Sequence, residues 1–277
     1  GIYLPLFARS FGDYDEALHR YLVVPFVAVF GLNAFAIRLP NALLGILTVW
    51  VVYHLVRALW DDPSMACLAG LFLAISPWHV HFSRWSVRAI LLPLLFSLGL
   101  LLFLKGKDRA RYWVLSALVF GICLYTYNSA RVFVPLFVMG LFWIYRRELM
   151  RQRDATLVSV CVFLGILMGL YPFWITPEGM RRAQELMNPD PIALMYSYAA
   201  YFSPGFLFFN GDSNLRHSLL GMGQLYHYEL VLVPVGLWRL WHEKRAESRA
   251  LWLWLALYPI PGAFTGEPHA IRSIVGA

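Results

Sequence analysis

The chain has 277 residues, of which 60% are hydrophobic and 14% are charged, and its net charge is +7. Soluble domains contain about 45–50% apolar and about 25% charged residues, so this composition excludes a soluble enzyme, a disordered tail and a disulfide-stapled secreted domain. The continuous apolar runs instead predict an all-α polytopic membrane protein. Basic loops that set membrane orientation explain the positive charge, and we predict no nucleic-acid partner.

The segment from Glu16 to Gly31 is amphipathic and predicts a helix along the membrane interface. Eight apolar segments follow, at about residues 36–58, 64–77, 90–104, 111–124, 132–145, 155–174, 228–242 and 249–263. A helix needs about 20 residues to cross a bilayer, so the shorter segments must extend into their flanks. We predict about eight transmembrane helices in one domain over residues 1–277. We expect truncation at both ends, because the chain starts at Gly1 and stops just after a polar segment.

The basic residues indicate how these helices are oriented. Alternating the spans places three basic loops and Arg57 on one side of the membrane, which is cytoplasmic by the positive-inside rule. These loops hold every lysine of the chain. Their basic residues are Lys105, Lys107, Arg109, Arg111, Arg146, Arg147, Arg151, Arg153, Arg239, Lys244, Arg245 and Arg249.

The opposite side has a different chemistry. Its basic residues are all arginines, six of the eight histidines lie there, and so does the longest loop, at about residues 175–227. Arginine makes bidentate contacts with phosphate and carboxylate groups, so this face predicts a site for an anionic lipid head group. For any one of these residues, the simpler interpretation is a solvated loop charge.

The segment Ser76–Arg88 carries the strongest pattern on this face. Pro77 ends a helix. The spacing of His79 and His81 suits a strand or loop better than one face of a helix. Arg84 and Arg88 are four residues apart and would share a helical face, where an anion between them would relieve their repulsion.

Three further polar segments lie on the same side. Tyr125–Pro135 is a short connection with Arg131 at a helix start. Ser203–Ser218 is a turn-rich patch within the long loop. Gly266–Arg272 holds an acid, a base and a cation, but it matches no metal-binding signature.

Together these segments resemble the GT-C glycosyltransferases that use polyprenyl-phosphate sugars, and most closely the bacterial branch of the protein O-mannosyltransferase and aminoarabinose transferase superfamily. The stretches that carry the resemblance are Phe11–Tyr14 with Tyr21 and Leu22, Gly31–Pro40, Ser76–Arg88, Tyr125–Pro135, Phe206–Ser218 and Glu267–Arg272.

The resemblance implies an inverting transfer of a sugar from an undecaprenyl- or dolichyl-phosphate donor to an acceptor on the outer face. It also implies an acidic base in the first outer loop, in a pair that directly follows the family's first helix. We expect that pair to lie upstream of residue 1. Within the chain, the catalytic candidates are Asp13, Asp15 and Glu16. A divalent metal is compatible with the superfamily, although no spacing here predicts its ligands.

Charge that develops on the departing lipid phosphate calls for cationic donors beside it. The candidates for contacts with the substrates are Arg84, Arg88, Arg131, Asp212, Arg216, His217, Glu267, His269 and Arg272. The implied partners are the polyprenyl-phosphate-linked donor, a lipid, glycan or protein acceptor, and membrane lipids. The implied location is the bacterial inner membrane, with the active site on the extracytoplasmic side.

Two alternatives remain open from the sequence. One is a membrane transporter or lipid flippase, although the spans hold few ionisable residues and no halves repeat. The other is an O-antigen ligase-like transferase, which would use a diphosphate-linked donor.

Overall fold

The computed structural model describes residues 5–10, 13–171, 190–214, 216–218 and 221–276. Within these ranges the chain is mostly helical, which confirms the predicted helical class. The described part of the N-terminal region also contains a short antiparallel hairpin that we did not predict. Its strands are β1 (Phe7–Ser10) and β2 (Asp13–Glu16), with Phe7 opposite Glu16. The hairpin delivers Glu16 directly to the start of the first helix.

Every predicted apolar segment contains a helix, because long apolar side chains favour helical backbone when neighbouring helices cover them. The described helices are α1 (Leu18–Phe30), α2 (Ala34–Trp60), α3 (Pro63–Ile75), α4 (Pro77–Arg84), α5 (Leu91–Lys105), α6 (Arg111–Cys123), α7 (Ala130–Ile144), α8 (Arg146–Arg151), α9 (Arg153–Met168), α10 (Pro191–Ala200), α11 (Glu229–His242), α12 (Ala246–Leu257) and α13 (Ile260–Ala263).

Polar caps fix where the second and third helices begin. The Asn33 side chain accepts a hydrogen bond from the Ala36 amide at 2.9 Å and caps α2. The Asp62 carboxylate accepts from the amides of Ser64 and Met65 and caps α3, whose first residue is Pro63. Such side chains satisfy amides that lack a partner in the first helical turn, and a proline there loses nothing.

Helices α3 and α4 form a bent pair, with an angle of 57° between them. Proline disfavours helical backbone at the residue before it, and Ser76 accordingly has an extended ψ of 126° before Pro77. The segment 77–84 is therefore helical, and the predicted strand or loop around His79 and His81 is wrong. Pro77 thus both prevents α3 from continuing and begins α4.

The described part of the chain contains fewer helices of membrane-spanning length than the eight spans predicted from the sequence. Among the described residues, Ala34–Trp60 and Arg88–Lys105 are long and apolar enough to cross a membrane, and the bent pair α3–α4 would add a third span. The apolar helices Leu18–Phe30, Arg111–Cys123 and Ala130–Ile144 are shorter. The structure thus does not confirm eight spans.

The predicted loop over residues 175–227 is partly helical. Residues 172–189 lie outside the described part of the chain. The remainder contains α10 and a π-helical turn, Gly205–Phe209, so the prediction of a continuous loop is wrong. Asp190 caps α10 by accepting from the Ile192 amide at 3.0 Å.

The core lies around α5, which packs against α2 and α6, while α6 packs against α9 and α7 packs against α12. Phe96 of α5 is fully buried among other aromatic rings. Its ring centroid lies 4.9 Å from that of Phe133, 4.7 Å from Phe137 and 4.6 Å from Trp254. These contacts join three helices that are distant in sequence.

The last described segment returns to this core. The short 3-10 helix Ile274–Gly276 packs on α5. The indole of Trp254 donates to the Val275 carbonyl at 2.9 Å, and the indole of Trp78 donates to the Ala270 carbonyl at 3.2 Å. Both bonds hold residues 270–275 beside the helices that precede them.

We predict that Phe96→Ala lowers the free energy of unfolding by about 3–5 kcal/mol, because it removes a buried ring and leaves a cavity. Thermal unfolding of the full-length protein in detergent micelles measures the effect. Phe142→Ala is the matched control, since that ring on α7 is 41% exposed and its loss leaves no closed cavity. Equal destabilisation by the two changes would contradict the packing described here.

Candidate functional site

A cleft of about 540 Å³ gathers polar residues from five separate stretches of the chain. It lies between the end of the hairpin, α1, the segment that follows α4, the α6–α7 connection, the outer loop and the last described segment. Its lining residues are Asp15, Glu16, His19, Arg20, Trp85, Ser86, Val87, Arg88, Tyr127, Asn214, Arg216, His217, His269, Ile271 and Arg272.

The Glu16 carboxylate is the centre of an ion-pair network on one wall of this cleft. Its side chain is only 1% exposed. The Arg131 Nη2 atom lies 2.6 Å from Oε1, and the Arg88 Nε atom lies 2.8 Å from Oε2. A buried carboxylate is tolerated only when cations and hydrogen-bond donors surround it, and Glu16 has two guanidinium groups.

Asp15 extends the network towards the open side of the cleft. One of its oxygens contacts Arg88 Nη1, and the other lies 3.2 Å from Arg20 Nη2. The Asp15 side chain is 19% exposed, whereas the Arg20 side chain is 45% exposed. Solvent therefore weakens the pair with Arg20 more than the pair with Arg88.

Asn41, a buried residue of α2, fixes the backbone that carries Arg88. Its side-chain amide donates to the carbonyls of Trp85 at 2.7 Å and of Val87 at 2.9 Å. Its oxygen lies 2.5 Å from His19 Nε2. Asn41 thus connects α1, α2 and the turn before α5. Its NH₂ group serves as the donor to the turn, and its side-chain oxygen faces His19 of α1.

A second polar group forms around the buried carboxylate of Asp212. Its Oδ1 atom accepts from the Asn214 amide at 2.8 Å, and Oδ2 accepts from the Ala270 amide at 2.7 Å. The same Oδ2 atom lies 3.3 Å from His217 Nδ1 and 3.5 Å from His269 Nδ1. One carboxylate thereby holds the outer loop against the last described segment.

The environment changes the protonation of this group. Burial acts to raise the pKa of Asp212, but His217 and the amides of Asn214 and Ala270 outweigh it, so its pKa lies below the ordinary value. Burial lowers the pKa of His269 to about 4 despite the nearby Asp212 charge. At neutral pH the carboxylate is ionised and the His269 imidazole is neutral.

The two histidines of α4 make separate contacts and do not face a common ligand. His79 is buried, and its Nε2 atom lies 3.2 Å from the Gly45 carbonyl. The His81 Nε2 atom lies 2.8 Å from the Arg216 carbonyl, which ties α4 to the outer loop. Side chains two residues apart on a helix point in different directions, so His79 contacts α2 and His81 contacts the outer loop.

Most predicted site residues converge on the cleft. Asp15, Glu16, Arg88, Arg216, His217, His269 and Arg272 line it directly. Arg131 and Asp212 lie behind this lining, in contact with Glu16 and with the two histidines respectively. Only the backbone of Asp13 is described, paired with Ser10 in the hairpin.

Two predicted residues lie outside the cleft lining. Helix α4 ends at Arg84, and Trp85 has an extended backbone, with φ −105° and ψ 136°. Arg84 is exposed and does not share a helical face with Arg88, so that prediction is wrong. Glu267 is exposed and accepts a hydrogen bond from the Ser213 hydroxyl at 3.3 Å.

Several residues of the cleft were missed from the sequence. They are His19, Arg20, Trp85, Tyr127 and Asn214, together with Asn41 behind the wall. A buried polar residue in an otherwise apolar span indicates a structural or functional contact, and this signal was present at Asn41.

We predict that Asn41→Leu lowers the free energy of unfolding by about 1–3 kcal/mol, because it leaves buried carbonyls without donors. Thermal unfolding in detergent measures this effect. Thr48→Val is the control, since the buried Thr48 hydroxyl donates only to the Leu44 carbonyl within α2. A larger effect at Thr48 than at Asn41 would contradict the bridging role.

Comparison with known proteins relates this arrangement to a family. The chain is 24% identical over 249 residues to "Undecaprenyl phosphate-alpha-4-amino-4-deoxy-L-arabinose arabinosyl transferase 1" of Pseudomonas fluorescens (strain Pf0-1), covering 83% of this chain and 40% of that protein. It is 28% identical over 158 residues to "Undecaprenyl phosphate-alpha-4-amino-4-deoxy-L-arabinose arabinosyl transferase" of Pseudomonas aeruginosa (strain UCBPP-PA14), covering 53% of this chain and 27% of that protein. The chain thus spans less than half the length of these relatives.

No solved structure matches the chain. Residues 17–173, more than half of the chain, match the profile of a family described as "Dolichyl-phosphate-mannose-protein mannosyltransferase". This match covers α1 to α9 and includes Arg88 and Arg131 of the ion-pair network. It ends before Asp212 and the last described segment. The chain therefore belongs to the dolichyl-phosphate-mannose-protein mannosyltransferase family.

Proposed function

We propose that the protein is a membrane glycosyltransferase that moves a sugar from a polyprenyl-phosphate donor to an acceptor hydroxyl. The observation that carries this proposal is the cleft itself, which brings four arginines and two carboxylates together from distant parts of the chain. The names of the two arabinosyl transferases, which specify an undecaprenyl phosphate-linked sugar, support the choice of donor.

The donor phosphate is assigned to the side of the cleft lined by Arg216 and Arg272. Neither arginine makes an ion pair with a carboxylate in the part of the chain that the structure describes. Arg88 also lines the cleft, but it is already paired with Asp15 and Glu16. Guanidinium groups without a carboxylate partner are the ones available to neutralise a phosphate.

The reaction exchanges one bond for another at the anomeric carbon of the sugar. The acceptor oxygen forms its bond to this carbon from the face opposite the phosphate. The bond from the carbon to the phosphate oxygen breaks, and its electron pair leaves with the polyprenyl phosphate. Arginines beside that oxygen stabilise the charge that develops on it. The acceptor proton passes to a carboxylate.

Asp15 is the carboxylate that we assign to the acceptor. It is more exposed than Glu16, and one of its oxygens is held only by the solvent-screened Arg20. An acceptor hydroxyl competes with such a pair at little cost. Glu16 contacts two buried or half-buried arginines and is a positioning residue for them. Asp13 lies at the far end of the hairpin strand.

The proposed topology has about eight spans in one domain, with the cleft on the extracytoplasmic side of the bacterial inner membrane. Contacts at the opposite end of α2 support it, because there the Trp60 indole donates to Glu243 at 3.0 Å. At that same end Lys107 lies 2.5 Å from Glu247, so two of the basic loops meet.

The distance along α2 suits the thickness of a bilayer. Asn41 contacts the cleft wall and Trp60 lies at the basic end, so 19 residues separate them, or about 28 Å at about 1.5 Å per residue. The hydrocarbon core of a bilayer is about 30 Å thick. The cleft and the basic loops therefore fit opposite membrane surfaces.

Membership in this family favours a transferase over the transporter, flippase and O-antigen ligase-like alternatives. Turnover in detergent separates the first two from a transferase, because transport has no meaning without a membrane. Comparing turnover of a monophosphate-linked donor with turnover of a diphosphate-linked donor tests the O-antigen ligase-like alternative. The sugar and the acceptor are to be identified with a panel of such donors.

We predict that Arg272→Ala lowers turnover about 100-fold in the full-length protein, because it removes a cation beside the departing phosphate. Arg216→Ala lowers turnover by about tenfold, since solvent screens this exposed residue. Release of polyprenyl phosphate from a synthetic donor measures both effects. Arg84→Ala is the matched control and retains turnover, because Arg84 lies outside the cleft. Wild-type turnover in both cleft variants would overturn the phosphate assignment.

We also predict different consequences for the two neighbouring carboxylates. Asp15→Asn lowers kcat and leaves the KM for the donor nearly unchanged, because it removes the proton acceptor. Glu16→Gln raises the KM for the donor and lowers the free energy of unfolding by about 3–5 kcal/mol, because it removes the buried negative charge that Arg88 and Arg131 contact. Steady-state kinetics and thermal unfolding separate these effects. A normal kcat for Asp15→Asn would move the base to another residue.

A further inference from the structure

We infer that Asp212, His217 and His269 form a binding site for a single divalent transition-metal ion, of the zinc class, with one coordination position open to the cleft. This inference goes beyond the proposed transferase reaction. It depends on the side-chain geometry of three residues, and it holds whether or not the cleft transfers a sugar.

The separations of the two imidazole nitrogens from the Asp212 oxygen fit a tetrahedral ion. The Asp212 Oδ2 atom lies 3.3 Å from His217 Nδ1 and 3.5 Å from His269 Nδ1. One ligand atom from each residue lies within 4.8 Å of the other two. Metal–ligand bonds of about 2.0–2.1 Å in a tetrahedral site place neighbouring ligand atoms about 3.3–3.4 Å apart. The two separations from the Asp212 oxygen are therefore close to the spacing that an ion requires.

The hydrogen bonding of these histidines leaves the ligand atoms available. Both Nδ1 atoms are buried, and neither has a hydrogen-bond partner of good geometry among the described residues. Most buried polar atoms in proteins do have such a partner, so two unpartnered atoms beside one carboxylate call for an explanation. A cation between the three residues supplies it.

The carboxylate is already oriented for this role. The Ala270 amide donates to Oδ2 at 2.7 Å, and the Asn214 amide donates to Oδ1 at 2.8 Å. Hydrogen bonds of this kind hold the ligands of metal sites in position. They use one lone pair of Oδ2 and leave another for an ion.

Two of the three residues in the group lie at the surface of the cleft. His217 and His269 line the cleft, whereas Asp212 is 3% exposed and lies behind them. Three protein ligands with a free position are the pattern of catalytic zinc sites, whereas structural sites close all four positions. When bound there, the ion would supply positive charge to an oxyanion held between Arg216 and Arg272.

The donor set also selects the kind of metal. Two imidazoles and one carboxylate suit zinc, iron, cobalt or nickel, whereas magnesium and calcium prefer oxygen ligands throughout. The metal-free alternative is a hydrogen-bonded Asp–His–His group in which a proton takes the place of the ion. The two alternatives differ in metal content and in the spectrum of a cobalt-loaded protein.

The test begins with the full-length protein, stripped with a chelator and then loaded with Zn²⁺ or Co²⁺. We expect about one ion per chain by elemental analysis, and a rise in the unfolding temperature on loading. His269→Ala and His217→Ala should lower the affinity for the ion by more than about tenfold. His227→Ala is the matched control, since His227 also lies in the outer region but not in this group, and it should bind normally.

A ligand replacement keeps the test informative if the alanine variants fold poorly. His269→Cys preserves a metal ligand, and its Co²⁺ form should show a sulfur-to-cobalt charge-transfer band that the wild type lacks. Failure of the stripped wild type to take up Zn²⁺ would overturn the inference. So would equal uptake by His269→Ala, or a His269→Cys protein that binds Co²⁺ without the band. None of these readouts requires transferase activity, so they are independent of the proposed function.

Discussion

The cleft depends on the neutralisation of one buried carboxylate. Glu16, at the end of the hairpin, brings the guanidinium groups of Arg88 and Arg131 together. Both arginines are distant from Glu16 in the sequence but lie beside it in the structure. Removing one partner of a buried ion pair costs about 3–5 kcal/mol, because the remaining charge keeps its desolvation penalty. The ion pairs therefore help to fix the hairpin, the turn before α5 and the start of α7 relative to one another, together with the packing of Phe7 against Tyr125.

Helix α2 connects this charged region to the rest of the molecule. At one end Asn41 bonds the backbone that carries Arg88, and at the other end Trp60 bonds Glu243. Between them the helix is apolar and packs on α3 and α5. Helix α2 thus joins the polar cleft at one end to a basic region at the other, an arrangement that agrees with the proposed function.

The positions of the helices were well predicted from the sequence, whereas the polar contacts between distant segments were not. Apolar runs such as 111–124 were enough to locate α6, because a membrane or a protein interior imposes the same demand on every position of the run. The spacing of Arg84 and Arg88 could not show that they lie on different elements. The helix ends before Trp85, whose carbonyl accepts a hydrogen bond from Asn41, more than 40 residues away. Asp212, His217 and His269 were each predicted as site residues, but their convergence on one carboxylate was not, because they come from two segments and match no short motif.

The return of the last segment to α5 has a consequence for biosynthesis. Residues near Arg272 complete a cleft whose opposite wall begins at Asp15, so roughly 250 residues must be synthesised between them, which takes about 13–50 s at 5–20 residues per second. During translation the hairpin therefore waits in an unfinished site, and its carboxylates depend on early arginines alone. A nascent chain that ends before Arg272 therefore lacks part of the cleft lining.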